Sequence, residues 1–545
     1  MRLRLIPLLL LLAIPARAQQ PDIKYWVFFA DKDAVAAKAA PISDRALHRR
    51  AIRAMDTPAS LDLQVTPRYV EGVEAAGGRV AHRSRWLNAV SVWLSPDELE
   101  AVRRLPFVTG TRPVGQALPP EALVEPAFPR LEPAAPLAVA SLDYGSSHRQ
   151  LEIINAIAGI EAGLNGAGVI LGIVDTGAGD LQHPATQHIL DAGRLLDQRD
   201  FTGQPDDNNR HALAVLSVAA GYAPGRLIGP AYAADILLAR TEYAPTETNQ
   251  EEDNFVAGME WMESRGADVV NISLGYSEFD PGQNSYTVDQ MDGDTPITTQ
   301  AADLAAQLGV TVVNSAGNAG SSAWGKITSP ADGDSVIAVG AVGPNGILTS
   351  FSGRGPSADG RIKPDVSAMG SSVTVATRNG YSTGGNGTSF SAPMVAGIAA
   401  QLLQVNPTLQ PMQIREILQR TASHHHEPNN GTGHGVIDAG AALALAATWT
   451  TDVESDTPSG SFSAEAFPNP SRTSPRLAVQ LPEAGPVEIT VFDLLGREVA
   501  RSTLPGLSAG GHVLDLPTPP GANGWLGYRL TAGARVTTGS VILIR

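Results

Sequence analysis

A chain of 545 residues is longer than one hydrophobic core usually supports, so we expect two or three domains. Hydrophobic residues make up 43% and charged residues 17%, a balance that excludes wholesale disorder. The formal net charge of -16 argues against nucleic-acid binding, and the lack of cysteine excludes disulfides, thiolate nucleophiles and Cys-based metal sites.

Residues 1–18 have the three parts of a secretory signal peptide. Arg2 and Arg4 precede an apolar run that ends at Ile14, and small residues follow up to a predicted cleavage after Ala18. A membrane anchor would need about 20 apolar residues, so this run is too short to be one. The sequence predicts an exported protein.

Residues 19–115 alternate predicted strands with predicted helices, which indicates a small α+β domain. The strands are expected at 25–29 and 89–94, and the helices at 66–76 and 96–104. Residues 116–143 follow as a linker, because repeated proline favours an extended chain that proteases reach easily.

Residues 144–450 contain apolar, β-branched runs that end in glycine-bearing turns and alternate with helical segments. This pattern predicts a doubly wound, mostly parallel α/β sheet with its functional site at the carboxyl ends of the strands. The predicted strands and helices are 169–174, 268–272, 310–313 and 336–339, and 254–265 and 298–308, respectively.

The last part of the chain begins with a linker rich in Ser, Thr, Asp and Pro at 451–465. Residues 466–545 then carry short strands, expected at 487–492 and 536–544, between Gly and Pro turns. The sequence predicts a C-terminal β-sandwich.

Ser389 lies where a glycine-rich loop runs into a helix of small residues, 387–397. The unpaired N–H groups at a helix start could hold an oxyanion formed by attack of this serine. A serine that only caps a helix is the commoner case. Catalysis therefore requires an oriented base elsewhere in the chain.

Asp175 follows a predicted strand and His211 opens a helical segment, so both are placed where active sites form. The alternative for Asp175 is a turn residue that binds nearby amides. His183 and His188 are closer to Asp175 in sequence but fall in a polar loop, where we expect solvated side chains. Asn318 follows strand 310–313, and its amide is either an oxyanion donor or a simple turn residue.

The chain order of these residues resembles that of the subtilisin-like serine proteases, the subtilases of peptidase family S8: Asp175, His211, Asn318 and Ser389. The resemblance covers residues 144–445, and 174–177 and 387–393 resemble the family's aspartate and serine motifs. It implies that Asp175 orients His211, that His211 accepts the Ser389 proton, and that Asn318 and the Ser389 amide hold the oxyanion. The implied activity is that of a serine endopeptidase.

Ser273, Leu274 and Gly275 resemble the family's substrate-binding strand, which implies that a peptide adds to it as a further strand. One departure keeps a second function open. The family's histidine is usually followed by Gly and Thr, whereas Ala212 and Leu213 follow His211. If their extra volume displaces the base, the chain would be a noncatalytic subtilase-like peptide-binding protein. A lipase-like hydrolase is disfavoured because its chain order is Ser, acid, His.

Residues 19–115 resemble subtilase propeptides, which assist folding and block the cleft, and we expect removal between Pro113 and Tyr144. A permanent accessory domain is the alternative. In the tail, 467–470 and 493–497 resemble the sorting domain of the type IX secretion system of Bacteroidetes-like bacteria. That resemblance implies contact with secretion machinery and a secreted or cell-surface protein. An ordinary β-sandwich is the alternative.

No cofactor is expected to be required. Calcium binds loop carboxylates in subtilases, yet no loop here has a diagnostic ligand spacing. His424, His425, His426 and Glu427 lie in a loop-like segment, and adjacent histidines rarely converge on one ion. The sequence therefore predicts no metal site at these residues.

Overall fold

The computed structural model of the chain forms two compact units, residues 1–449 and 450–545. The described residues are 23–33, 38–55, 57–115, 142–179, 181–449, 462–467, 471, 475–492, 497–519, 522, 524–533 and 535–543. The predicted signal peptide and most of the first linker, 116–141, lie outside them. In these ranges, no helix combines the length and apolarity needed to cross a bilayer.

The N-terminal region, residues 23–115, is a four-stranded antiparallel sheet in the order β2-β3-β1-β4 with helices beside it. Its elements are β1 Ile23–Phe29, α1 Asp44–Ile52, α2 Pro67–Ala75, β2 Arg79–Ser84, β3 Ala89–Leu94, α3 Pro96–Arg103 and β4 Val108–Gly115. Its own core contains Val27, Val90 and Val92, all fully buried. The α+β arrangement is the expected one, but helix α1 is absent from the sequence prediction.

The central region, residues 142–449, is built on a seven-stranded sheet in the order β13-β12-β11-β10-β5-β9-β6. Every neighbouring pair is parallel, as predicted. The strands are β5 Ile170–Asp175, β6 Leu195–Asp200, β7 Tyr222–Ala223, β8 Leu227–Ile228, β9 Asp235–Arg240, β10 Val269–Ile272, β11 Thr311–Ser315, β12 Ile337–Val342, β13 Val366–Met369, β14 Val373–Thr377 and β15 Gly380–Gly385. Strands β7 with β8 and β14 with β15 form separate two-stranded sheets.

Helices cover the central sheet on both faces, which is why β5 and β10–β12 are buried along their length and mostly apolar. The helices are α4 His148–Glu152, α5 Ile157–Glu161, α6 Gln187–Asp191, α7 His211–Ala220, α8 Asn249–Arg265, α9 Ile297–Gln307, α10 Thr388–Val405, α11 Pro411–Thr421 and α12 Ala439–Thr448. Helix α10 packs closely because Gly397 faces Pro230, where a β-carbon would approach to 2.4 Å. The glycine thus lets the middle of α10 pack closely against the loop that contains Pro230.

The second unit consists of two antiparallel sheets, one of three strands (β16-β17-β20) and one of four (β19-β18-β21-β22). The strands are β16 Ser463–Phe467, β17 Arg476–Leu481, β18 Gly485–Phe492, β19 Glu498–Leu507, β20 Gly510–Asp515, β21 Gly524–Ala532 and β22 Arg535–Leu543. Both sheets contribute to one core, consistent with the expected β-sandwich. Of the proposed sorting motifs, 468–470 and 493–496 lie outside the described residues.

Candidate active site

Asp175 is the last residue of the central strand β5 and is fully buried. Its Oδ1 accepts hydrogen bonds from the Thr176 amide at 2.7 Å and the Thr176 hydroxyl at 3.2 Å. Both bonds fix the direction of the carboxylate. The strand therefore delivers an oriented negative charge to the carboxyl edge of the sheet.

His211 begins helix α7, and its Nδ1 lies 2.8 Å from Asp175 Oδ1. The backbone N–H of His211 donates to Asn209 Oδ1 at 2.8 Å, which fixes the helix start. Burial lowers the pKa of His211, but the charge of Asp175 and its hydrogen bond together outweigh burial and raise the pKa above its ordinary value of 6.5. With Nδ1 engaged as a donor, Nε2 is the nitrogen able to accept a proton.

The two residues after His211 are accommodated without separating it from Asp175. Ala212 lines a cavity of about 400 Å³ beside the strand ends, together with Thr176 and Arg240. Leu213 is buried in the main core. The extra side-chain volume thus lies beside a cavity and in the core, not between His211 and Asp175.

Ser389 is the second residue of helix α10 and is 8% exposed. Its hydroxyl donates to the Ser273 carbonyl oxygen at 3.2 Å, and the Ser273 hydroxyl donates to the Ser389 carbonyl oxygen at 2.9 Å. The next residue, Phe390, has its ring centroid 5.8 Å from that of His211. The first turn of α10 therefore lies against the imidazole.

Asn318 lies in an exposed turn after β11, and its Oδ1 accepts from the Thr388 amide at 2.8 Å and the Thr388 hydroxyl at 3.0 Å. These bonds leave Nδ2 as the free donor. A β-carbon on Gly387 would lie 3.4 Å from Asn318 Nδ2 and 3.7 Å from the Ser389 amide nitrogen. The two nitrogens therefore border one space, kept open by a glycine at φ +147°.

Ser273, Leu274 and Gly275 follow directly after strand β10. Ser273 is buried against Ser389, whereas Leu274 is half-buried and Gly275 is exposed. Ser273 thus contacts the nucleophile, and the next two residues reach the surface. The sequence analysis did not assign the positioning roles of Asn209 and Thr388, although asparagine often accepts from the backbone N–H two residues further on, as Asn209 does here.

His183 and His188 do not join the site, and the expectation that they are solvated was wrong. His183 is buried and its Nε2 lies 3.0 Å from the Gly380 carbonyl oxygen. His188 is half-buried, and burial together with the charge of Arg194 lowers its pKa to about 4. Both act as neutral packing residues. Within the described ranges, no three His, Asp or Glu side chains converge as metal ligands would.

Known proteins share both regions of the first unit. A model of the Subtilase family matches residues 166–435, and a model of the Peptidase S8 propeptide domain of Bacteroidota matches 24–124. Subtilisin DY of Bacillus licheniformis is 34% identical over 264 residues, 48% of this chain and 86% of that protein. Serine protease AprX of Bacillus subtilis (strain 168) is 28% identical over 304 residues, 51% of this chain and 66% of that protein. Subtilisin E of the same strain is 27% identical over 354 residues, 65% of this chain and 80% of that protein.

Proposed function

The chain belongs to the subtilase family, and we propose that it is a secreted serine endopeptidase that hydrolyses peptide bonds through an acyl-enzyme at Ser389. The observation that carries the proposal is the 2.8 Å hydrogen bond between His211 Nδ1 and Asp175 Oδ1, which turns the other ring nitrogen into a base. That bond forms despite Ala212 and Leu213, which favours catalysis over the noncatalytic alternative.

In the proposed first step, the Ser389 hydroxyl leaves the Ser273 carbonyl oxygen and donates to His211 Nε2. The imidazole takes the proton while Ser389 Oγ attacks the scissile carbonyl carbon. The oxyanion forms in the space beside Gly387, where Asn318 Nδ2 and the Ser389 amide donate to it. His211 then protonates the leaving amine, and the acyl-enzyme remains.

In the proposed second step, a water molecule takes the place of the amine. His211 accepts its proton, the hydroxide attacks the ester carbonyl, and the oxyanion is held by the same two nitrogens. Collapse returns the proton to Ser389 and releases the new carboxylate. The Asp175 carboxylate holds the imidazole in place in both steps and stabilises its charged form.

A fluorophosphonate probe tests this proposal against the noncatalytic one, because it labels only an activated serine. Processed wild-type protein should be labelled at Ser389, and Ser389→Ala should not be. If neither protein is labelled while peptides still bind the cleft, the chain is a peptide-binding protein.

Asn318→Ala should lower kcat by about 10²- to 10³-fold with little change in KM, because the lost donor acts on the developing oxyanion. Steady-state kinetics on a peptide amide measure kcat and KM separately. Asn345→Ala is a matched control, since Asn345 is an exposed turn asparagine that accepts from the Ile347 amide. A wild-type kcat for Asn318→Ala would remove this residue from the oxyanion site.

The N-terminal region is a peptidase S8 propeptide domain, and we propose that it inhibits the enzyme until it is removed. Its C-terminal strand β4 contacts the central region through Arg112, whose guanidinium donates to the Tyr286 hydroxyl at 2.8 Å and the Thr295 carbonyl oxygen at 3.2 Å. We place the cleavage between Pro113 and Tyr144, after this contact. A permanent accessory domain would instead remain covalently attached in the active enzyme.

We also propose that the tail is a type IX sorting domain, on the resemblance of 467–470 and 493–497. Deleting 466–545 should then leave the first unit folded but retain the protein inside a host that has this system. Immunoblots of periplasm, outer surface and medium measure retention, and circular dichroism checks folding. Truncated protein that reaches the medium at wild-type levels would make the β-sandwich an accessory domain.

A further inference from the structure

Helix α1 in the N-terminal region buries charged side chains and exposes an apolar one, the reverse of an ordinary amphipathic helix. Its buried side includes Arg49 and Arg50, which are 1% and 5% exposed, whereas Leu47 is 48% exposed. Arg53, the C-cap, is 2% exposed. Arginine is almost never this buried unless it is paired, so the surface that α1 contacts must supply acceptors.

Glu263 on helix α8 is one of these acceptors, and its side chain is fully buried. Its Oε1 accepts from Arg49 Nη2 and from Arg50 Nε and Nη2, the latter two at 3.0 and 2.8 Å. Its Oε2 accepts from Arg85 Nη2 at 2.7 Å. In the described part of the chain, every ion pair of Glu263 is made with the N-terminal region.

Asp268, just before strand β10, is the second acidic acceptor. Its Oδ1 accepts from Arg53 Nη2 at 2.8 Å and its Oδ2 from Arg45 Nη2 at 2.6 Å. The Ile170 amide also donates to Oδ2, at 3.0 Å. That bond comes from the central region itself, so it orients Asp268 independently of α1.

Backbone carbonyl groups complete the surface. Arg49 Nη1 donates to the Ala267 carbonyl oxygen at 2.6 Å, and Arg53 Nη1 donates to that of Gly309. These carbonyls lie just beyond the C-terminal ends of α8 and α9, where the helix dipole favours a cation. A planar guanidinium group can donate to several fixed acceptors at once, whereas the ammonium group of lysine is a compact point charge without this geometry.

This surface is remote from the candidate active site. Ile170 and Asp175 are opposite ends of strand β5, and five residue steps in a strand span roughly 17 Å. Asp268 is bonded to Ile170, whereas His211 is bonded to Asp175. The contact of α1 with this surface is therefore separate from any binding of peptide in the active-site cleft.

We propose that Glu263, Asp268 and the carbonyl groups of Ala267 and Gly309 form a guanidinium-binding site on the central region, with α1 as its ligand. This site sets how fast the N-terminal region dissociates once the linker has been cut. Burial lowers the pKa of Arg53 to about 10, so its guanidinium group is still charged at neutral pH. The site does not depend on attack by Ser389.

The test uses the full chain with Ser389→Ala and a recognition sequence for an unrelated endoprotease placed within 116–141. After that protease cuts the linker, surface plasmon resonance follows dissociation of the N-terminal fragment from the immobilised remainder. Arg49→Gln and Arg53→Gln should each raise the dissociation rate constant by roughly 30-fold or more. Arg68→Gln is the matched control, because Arg68 is 63% exposed and pairs with Asp33 of its own region.

Glu263→Gln tests the same contact while leaving the N-terminal fragment unchanged, and thermal unfolding of the uncut chain checks its fold. When Glu263→Gln is combined with Arg49→Gln, the increase in the dissociation rate constant should be less than multiplicative, because both substitutions remove the same Arg49–Glu263 contact. A synthetic peptide of residues 41–55 should block rebinding of the fragment, and the same peptide with every Arg replaced by Lys should block it far less. Parental dissociation rates in Arg49→Gln and Arg53→Gln, or equal competition by the two peptides, would overturn the proposal.

Discussion

Replacing Ser389 by alanine should lower kcat for peptide hydrolysis by about 10⁶-fold, because the proposed nucleophile is lost. His211→Ala should cost a similar factor, since the serine is a weak nucleophile without its base. The double variant should be no worse than either single one, because the two residues act as a unit. Hydrolysis of a peptide amide by each purified protein, with thermal unfolding to verify folding, measures all three.

Ser391→Ala is the matched control, since Ser391 lies two residues further along helix α10 and its hydroxyl donates to the Thr388 carbonyl oxygen. It should retain turnover. We also propose that Ser389 itself cuts the linker, so the full-length Ser389→Ala chain should stay uncut on a gel. Normal processing of that pure variant would assign maturation to another protease.

Asp175→Asn should lower kcat/KM at neutral pH by about 10⁴-fold, because an amide no longer holds His211 in the proton-accepting tautomer. Asp191→Asn is the control, since Asp191 is an exposed residue whose Oδ1 accepts from Nε2 of the Gln187 side chain. An Asp175→Asn enzyme with wild-type kcat/KM would show that another group orients the base.

The same substitution should shift the pH dependence. A protonated imidazole cannot accept the serine proton, so wild-type kcat/KM falls as pH drops through the pKa of His211, which lies above 6.5. Without the charge of Asp175, burial is left to dominate and the pKa falls. The acid limb of the residual activity should therefore move to lower pH in Asp175→Asn, and an unmoved limb would contradict this.

Four of the seven strands of the central sheet, β5, β10, β11 and β12, were predictable because burial on both faces leaves apolar runs, whereas β6, β9 and β13 are absent from the sequence prediction. Strand 169–174 was expected and β5 is Ile170–Asp175, so Asp175 closes the strand as its sequence context suggested. His211, Asn318 and Ser389 are likewise placed by local helix and turn signals. Their mutual distances depend on the order of the parallel strands, which the local sequence pattern does not contain.

Helix α1 escaped prediction for a physical reason. Periodicity methods assume that apolar residues are buried, but here Arg49 is buried and Leu47 is exposed. The pairing carboxylate of Glu263 lies 214 residues away, so no local window contains both partners. The expectation that His183 is solvated was wrong for a similar reason, because the Gly380 carbonyl group that its ring contacts is 197 residues away in the chain.

The strand order has a consequence for how long the protein survives. Central strand β5 pairs with β10, and the Ile170 amide reaches Asp268 across 98 residues of chain. Such nonlocal pairing has a high contact order, which makes the folding transition slow. A chain of this size, with no disulfide to tether it, is therefore expected to owe its working lifetime to the height of its unfolding barrier more than to its equilibrium stability.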